Sequence, residues 1–254
     1  MHEQRNIFLM PDGFGSGAVF TALAPYLARV PDTWAYALSS PFLSLVATNR
    51  FNIDGLPSIE VLSHIYMEEI KKRQPTGPYL IGGYSLGGVV AFEAARQLVE
   101  AGEIVERLVL IDSASPSKVH SFPDELVQFL DTIDATNNHN NSAQGTVGSS
   151  AHFTLSREQL RQYRVRPLRG LQEGVIRDVV LFSAREGVDK QETVPRPKVE
   201  SDEQSAVEWF LDDRVDDGAL GWEDLLDNVR VIRVEGNHFS LMDASNVSCL
   251  LPYI

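Results

Sequence analysis

The segment Tyr79-Leu80-Ile81-Gly82-Gly83-Tyr84-Ser85-Leu86-Gly87-Gly88 constrains this chain more than any other. A short apolar run leads into Gly-x-Ser-x-Gly, and the helix-forming run Val89-Val90-Ala91-Phe92-Glu93-Ala94-Ala95 follows. In that context the motif predicts a nucleophile elbow, a sharp strand-to-helix turn that holds a serine in strained geometry with its Oγ exposed. Side chains at Gly83 or Gly87 would strike the neighbouring strand and helix, so both positions must stay small. The N-terminus of the helix then aims free N–H groups at the place where negative charge would develop. The plainer alternative is a glycine-rich turn whose serine caps the helix. The strand before it and the helix after it favour the elbow.

The rest of the chain repeats this rhythm. Ile7-Phe8-Leu9-Met10 reads as a strand that ends in the turn Pro11-Asp12-Gly13-Phe14-Gly15. Residues 18–28 have helical spacing, with Val19, Leu23 and Leu27 four apart on one face. Residues 34–38 read as a strand, and a helix is predicted from Pro57 to Arg73. Residues 79–81 form the elbow's strand, 86–100 its helix and 108–111 the next strand. Strands alternating with helices at this spacing predict an α/β fold with a mostly parallel sheet covered on both faces. Residues 113–177 break the pattern and read as a helical lid insertion over the sheet's carboxyl edge, with a polar, mobile centre at 136–146. Strands return at 179–182 and 229–234. The expectation is one domain over residues 1–254.

An elbow requires a proton acceptor, and of the six histidines only His238 has the right address, on a loop after the last strand. It would take the proton from Ser85 and return it later. A carboxylate must orient it. Asp112 ends the strand that follows the elbow helix and needs no loop excursion, so it is favoured over Asp189 and Glu186, which follow the strand at 179–182. The oxyanion hole needs two backbone N–H groups, one from Leu86 and one from Gly13 or Phe14. No cluster resembles a metal site, and no Gly-x-Gly-x-x-Gly follows a strand, so no bound cofactor is expected.

Composition excludes other classes. A net charge of −13 argues against nucleic acid as a partner. No apolar run is long enough to span a membrane, and the N-terminus lacks the apolar core of a signal peptide. The one cysteine, Cys249, cannot form an internal disulfide, which suggests a reducing compartment. A cytoplasmic protein is therefore expected. Residues 200–227 hold eleven acidic side chains and one basic, Arg214, and read as a solvated face. Arg157, Arg161, Arg164, Arg166 and Arg169 give the insertion a basic character; they read as a helix face paired with the acidic stretch, or more sharply as a docking surface for an acidic partner, and the first three can share one helix face.

Taken together, the runs 10–17, 73–79, 82–88, 110–112 and 236–242 resemble the C-terminal thioesterase domain of fungal non-reducing polyketide synthases, over nearly the whole chain. The resemblance implies an α/β-hydrolase fold, the acid at Asp112, and no cofactor of its own. It implies an acyl substrate on the phosphopantetheine arm of an acidic acyl carrier protein, within a megasynthase. Ser85 would take the acyl group. Water, an alcohol or an internal carbanion would release it, giving hydrolysis, lactonisation or Claisen-type cyclisation. Tyr84 and Leu86 around the serine are closer to the thioesterases of peptide synthetases. A free-standing serine esterase or lipase and a non-catalytic binding protein are the competing readings.

Overall fold

The stretches between the apolar runs are long enough for the crossover connections that parallel strands need. The computed structural model describes residues 5–47, 57–136, 150–170, 175–188, 194–216 and 218–253. Its strands are β1 (Arg5–Met10), β2 (Thr33–Ala37), β3 (Tyr79–Tyr84), β4 (Val105–Ile111), β5 (Val179–Glu186) and β6 (Val229–Asn237). They form one six-stranded sheet in the order β2-β1-β3-β4-β5-β6, with every pairing parallel. The chain moves outward from β1 to β2 and then returns to the other side of β1 for β3. Connections after β1 and β3 thus diverge and leave a crevice at their carboxyl ends, where open α/β sheets bind ligands.

The helices are α1 (Ala24–Leu27), α2 (Leu43–Ala47), α3 (Ile59–Arg73), α4 (Leu86–Glu100), α5 (Asp124–Thr136), α6 (Ala151–Gln162) and α7 (Gln204–Leu211). Side chains alternate across each strand. Phe8, Met10, Ile81 and Leu110 pack with α3, α4, α5 and α7, whereas Ile7, Leu9, Val109 and Phe182 pack against α1 and the C-terminal turns. Both faces are therefore apolar, and a strand such as β3 is buried at every residue.

Three local expectations are revised. The helix at 18–28 is a 3₁₀ segment, Gly17–Leu23, followed by the short α1. Pro25 causes the break, because it has no N–H for the carbonyl of Thr21 and its ring would strike that carbonyl. The helix expected from Pro57 begins two residues later, where the Ser58 hydroxyl accepts the Val61 N–H as an N-cap. Strand β6 runs through 235–237, which were expected to be loop, almost to His238. The chain ends in 3₁₀ turns, Ser240–Met242 and Val247–Tyr253.

The described part of 113–177 contains α5 and α6, and among the described residues it has no strand. Residues 137–149, most of its polar centre, lie outside them. Helix α6 crosses the crevice: Phe153 stacks on Phe14 with centroids 5.2 Å apart, and His152 Nδ1 lies 2.9 Å from the Gly13 carbonyl.

Candidate active site

Ser85 sits between β3 and α4 with φ 56° and ψ −126°, a backbone region that L-residues rarely occupy. The flanking glycines make the turn possible. A Cβ on Gly83 would stand 2.0 Å from the Gly87 carbonyl oxygen, and one on Gly87 would stand 2.4 Å from the carbonyl oxygens of Met10 and Pro11. The serine side chain does not cap its helix. Ser85 is half-buried at the N-cap position of α4, where Leu86 is the first helical residue.

Main-chain bonds bring the neighbouring strand ends to the same depth. The Ser85 N–H donates to the Ile111 carbonyl at 2.9 Å, and the Asp112 N–H to that of Phe182 at 2.7 Å. Asp112 follows β4 with φ 41° and is fully buried. Its Oδ2 lies 2.7 Å from His238 Nδ1. Its Oδ1 accepts the Ala184 N–H at 2.8 Å and a guanidinium N–H of Arg214. Burial pushes the Asp112 carboxyl up, but the Arg214 charge and the His238 bond outweigh it and hold it well below the usual carboxylate range.

His238 directly follows β6 and is buried in a collar of rings. Tyr84 stacks on it at 5.0 Å, while Trp209 and Phe210, both at 4.9 Å, and Phe239 at 5.3 Å stand at 71–78° to its plane. Burial lowers the imidazole's basicity, the Asp112 bond raises it and Arg214 lowers it, for a net fall below the ordinary value. With Nδ1 on Asp112, the other ring nitrogen, Nε2, remains for proton transfer. Trp209 also walls the cavity that Ser85 lines, so serine and imidazole flank the same indole. That cavity is about 10 Å³, room for a single water, and is otherwise apolar, with Leu86, Val89, Phe122 and Leu160 around it.

The loop after β1 folds on Asp12. Its carboxylate accepts the Phe14 N–H at 3.0 Å and its carbonyl the Gly15 N–H at 2.9 Å. Burial lifts the Asp12 carboxyl to about 7, against the N–H groups of Phe14 and Gly15, which favour its charged form.

Ser85, Asp112, His238, Leu86, Gly13 and Phe14 are thus all at the carboxyl edge of the sheet. Asp189 lies outside the described residues. Glu186 ends β5, while the imidazole's Nδ1 is taken by Asp112. Among the described residues, no group of three or more His, Cys, Asp or Glu is placed to hold a metal ion. Sequence reasoning missed Arg214, the Tyr84 hydroxyl and the Trp209–Phe210 pair. The one available signal was a lone arginine in an acidic stretch.

The thioesterase-domain family model matches residues 5–252. The chain is 34% identical over 241 residues to the non-reducing polyketide synthase aoiG of Aspergillus oryzae, covering 94% of this chain and 11% of that protein. It is 32% identical over 259 residues to the bikaverin polyketide synthase bik1 of Gibberella fujikuroi, covering 100% and 12%. The chain therefore spans about a ninth of the length of these relatives. Among solved structures, it resembles the NocB thioesterase domain in covalent complex with a fluorophosphonate nocardicin G analogue, at 23% identity and TM-score 0.66, covering 96% of this chain and 90% of that one. It also resembles the type II thioesterase BorB from the borrelidin biosynthetic cluster, at 20% identity and TM-score 0.64, covering 99% and 93%. With the sheet order above, these likenesses give the α/β-hydrolase fold. No helix of the described residues is long and apolar enough to cross a membrane.

Proposed function

The chain belongs to the thioesterase domain family, and from that premise we propose that it releases an acyl chain from the phosphopantetheine arm of an acyl carrier protein by way of an ester on Ser85. Ser85 Oγ attacks the thioester carbonyl while His238 Nε2 takes its proton. The tetrahedral intermediate collapses, the C–S bond breaks, and the leaving thiolate receives the proton from His238. Asp112 keeps Nδ1 protonated and steadies the imidazolium. The Leu86 N–H and a loop amide stabilise the oxyanion. Because the Phe14 N–H is engaged by Asp12, Gly13 is the better loop donor.

The observation that carries this reading is the 2.7 Å bond between His238 Nδ1 and Asp112 beside the strained elbow serine. In the second half-reaction His238 takes a proton from water, from an alcohol or from a C–H of the acyl chain, the resulting nucleophile attacks the ester carbonyl, the bond to Ser85 Oγ breaks and His238 returns the proton to Oγ. These routes give acid, lactone or ester, and Claisen-type ring closure. The apolar walls around Ser85 suit a carbon-rich polyketide chain. The cavity beside Ser85 is smaller than such a chain, and in this reading the insertion that carries α5 and α6 is the lid that moves to admit it. The similarity to far longer polyketide synthases supports a place in a megasynthase and a cytoplasmic setting, with no cofactor of the domain's own.

A second reading, release of a peptidyl chain, is favoured by Tyr84 and Leu86 and by the likeness to a four-domain nonribosomal peptide synthetase. Mass spectrometry of products released from carrier protein loaded with polyketide-like or peptidyl chains separates the two. Faster turnover of a nitrophenyl ester than of any carrier-bound thioester would point to a free-standing esterase. Failure of a fluorophosphonate to label Ser85 would point to a binding protein and overturn both.

A further inference from the structure

Arg214 comes from the most acidic part of the chain, yet its side chain is only 1% exposed. It turns inward after α7 and fans out over the candidate site. Nη1 donates to Asp112 Oδ1 at 2.5 Å and to the Ala184 carbonyl at 3.2 Å, and Nε donates to the Trp209 carbonyl at 3.0 Å. The guanidinium also lies 5.5 Å from the centre of the Trp209 ring. Asp112 therefore divides its work: one oxygen faces Arg214 and Ala184, and the other faces the imidazole.

We infer that Arg214 is a positioning residue that acts on His238 through Asp112, fixing the rotation of the carboxylate and holding a permanent positive charge on its far oxygen. This rests on the reading of Ser85, His238 and Asp112 as the reacting set. A lone buried carboxylate beside an imidazole would favour imidazolium, which cannot accept the serine proton. A guanidinium on the far oxygen offsets that pull, and low polarity makes the offset strong. Arginine suits the task because it stays charged at any working pH and its planar fork can bond in several directions.

The other elements around the ring do not supply this charge. Trp209 and Phe210 of α7 and Phe239 are uncharged. Tyr84 of β3 meets His238 by ring stacking and by its hydroxyl, which donates to the His238 main-chain carbonyl. The charges of Asp12, after β1, and Asp243 are felt at Tyr84. Those felt at the imidazole are Asp112 and Arg214.

The test is the rate of Ser85 labelling by a fluorophosphonate from pH 5 to 9, in wild type, Arg214→Gln and Arg214→Lys, with thermal melts alongside. In Arg214→Gln the acid limb should move to higher pH by about one unit, and the plateau rate should fall. In Arg214→Lys the limb should stay near wild type because the charge remains. The plateau should still fall several-fold, because an ammonium cannot reproduce the fork. A role in stability alone would lower the melting temperature and leave the limb in place. An unmoved limb in folded Arg214→Gln, or a wild-type plateau in Arg214→Lys, overturns the inference while leaving the acyl-enzyme reading standing. A wild-type protein that is never labelled removes that reading, and the inference with it.

Discussion

Tyr84 and His238 are joined twice: the Tyr84 hydroxyl donates to the His238 carbonyl at 2.6 Å, and its ring lies on the imidazole with the planes 22° from parallel. Tyr84 is the last residue of β3 and stands directly before Ser85. The bond therefore ties the histidine's loop to the strand that carries the serine. Tyr84→Phe keeps the stack and removes the donor, leaving a buried carbonyl unpaired at a cost of about 1–3 kcal/mol. Thermal unfolding should show that loss, and single-turnover acylation should slow with little change in KM. If both stay at wild-type values, the bond does not hold the site together.

Ser85 offers two substitutions with different signatures. Ser85→Ala should abolish product release and leave the circular dichroism spectrum unchanged, since alanine fits the space and removes only Oγ. Turnover above a few per cent in the folded variant would exclude covalent catalysis by this residue. Ser85→Gly should be equally inactive but more stable than Ser85→Ala. The φ of 56° and ψ of −126° cost an L-residue about 1–3 kcal/mol that glycine avoids. Equal melting temperatures for the two variants would show that the turn stores no such strain.

Asp112→Asn keeps the shape but presents an amide to His238 and favours the wrong tautomer. In a serine protease the matching change lowers kcat by about 10⁴-fold, and acylation here should fall in the same direction. It should also destabilise the fold, because Arg214 would lose its buried counter-charge, a loss on the order of 3–5 kcal/mol. Asp189→Asn, made beside it, should acylate normally and melt normally. The opposite result would assign the orienting role to Asp189.

The parts of this site that a local pattern encodes were legible in the sequence. Gly83, Ser85 and Gly87 announce the elbow because a two-sided steric limit acts within five residues. His238 and Asp112 follow from the ends of apolar runs that parallel pairing brings together. Arg214 was not legible, because its meaning depends on Asp112, 102 positions earlier in the chain. The acidic stretch around it read as solvated face, yet it holds Ala206, Val207, Trp209 and Phe210 in the core. Helical spacing at 18–28 misled for a simpler reason: period alone does not register the missing N–H of Pro25.

The insertion's arginines are not one surface. Arg157 is mostly buried and donates to the Phe122 carbonyl and to Asp124, tying α6 to the start of α5. Arg161 and Arg166 are 66% and 62% exposed, beside Glu158 and Glu100. Reversing Arg161 and Arg166 together should raise KM for a carrier-bound substrate but not for a small thioester mimic. The effect should fade with salt, since screening acts over about 10 Å at 0.1 M. Arg157→Glu should instead lower the melting temperature and slow both substrates alike. Equal effects of the double reversal on both substrates would place Arg161 and Arg166 in structure and not in docking.

Asp12 gives a prediction in pH. Burial raises its carboxyl from 3.8 to about 7, so the folded chain keeps a proton that the unfolded chain has already lost. The contribution of Asp12 to stability then falls as pH rises from about 4 to about 7 and is flat on either side, because the folded state binds this proton more tightly across that window. Asp12→Asn cannot ionise, and its side-chain oxygen can still accept the Phe14 N–H. Its melting temperature relative to wild type should therefore climb between pH 4 and pH 8, by about 2–4 °C for each kcal/mol removed. The acylation rate should change little, since the loop keeps its bond. A melting difference that stays constant from pH 4 to pH 8 would mean that Asp12 ionises as freely in the folded protein as in the unfolded chain.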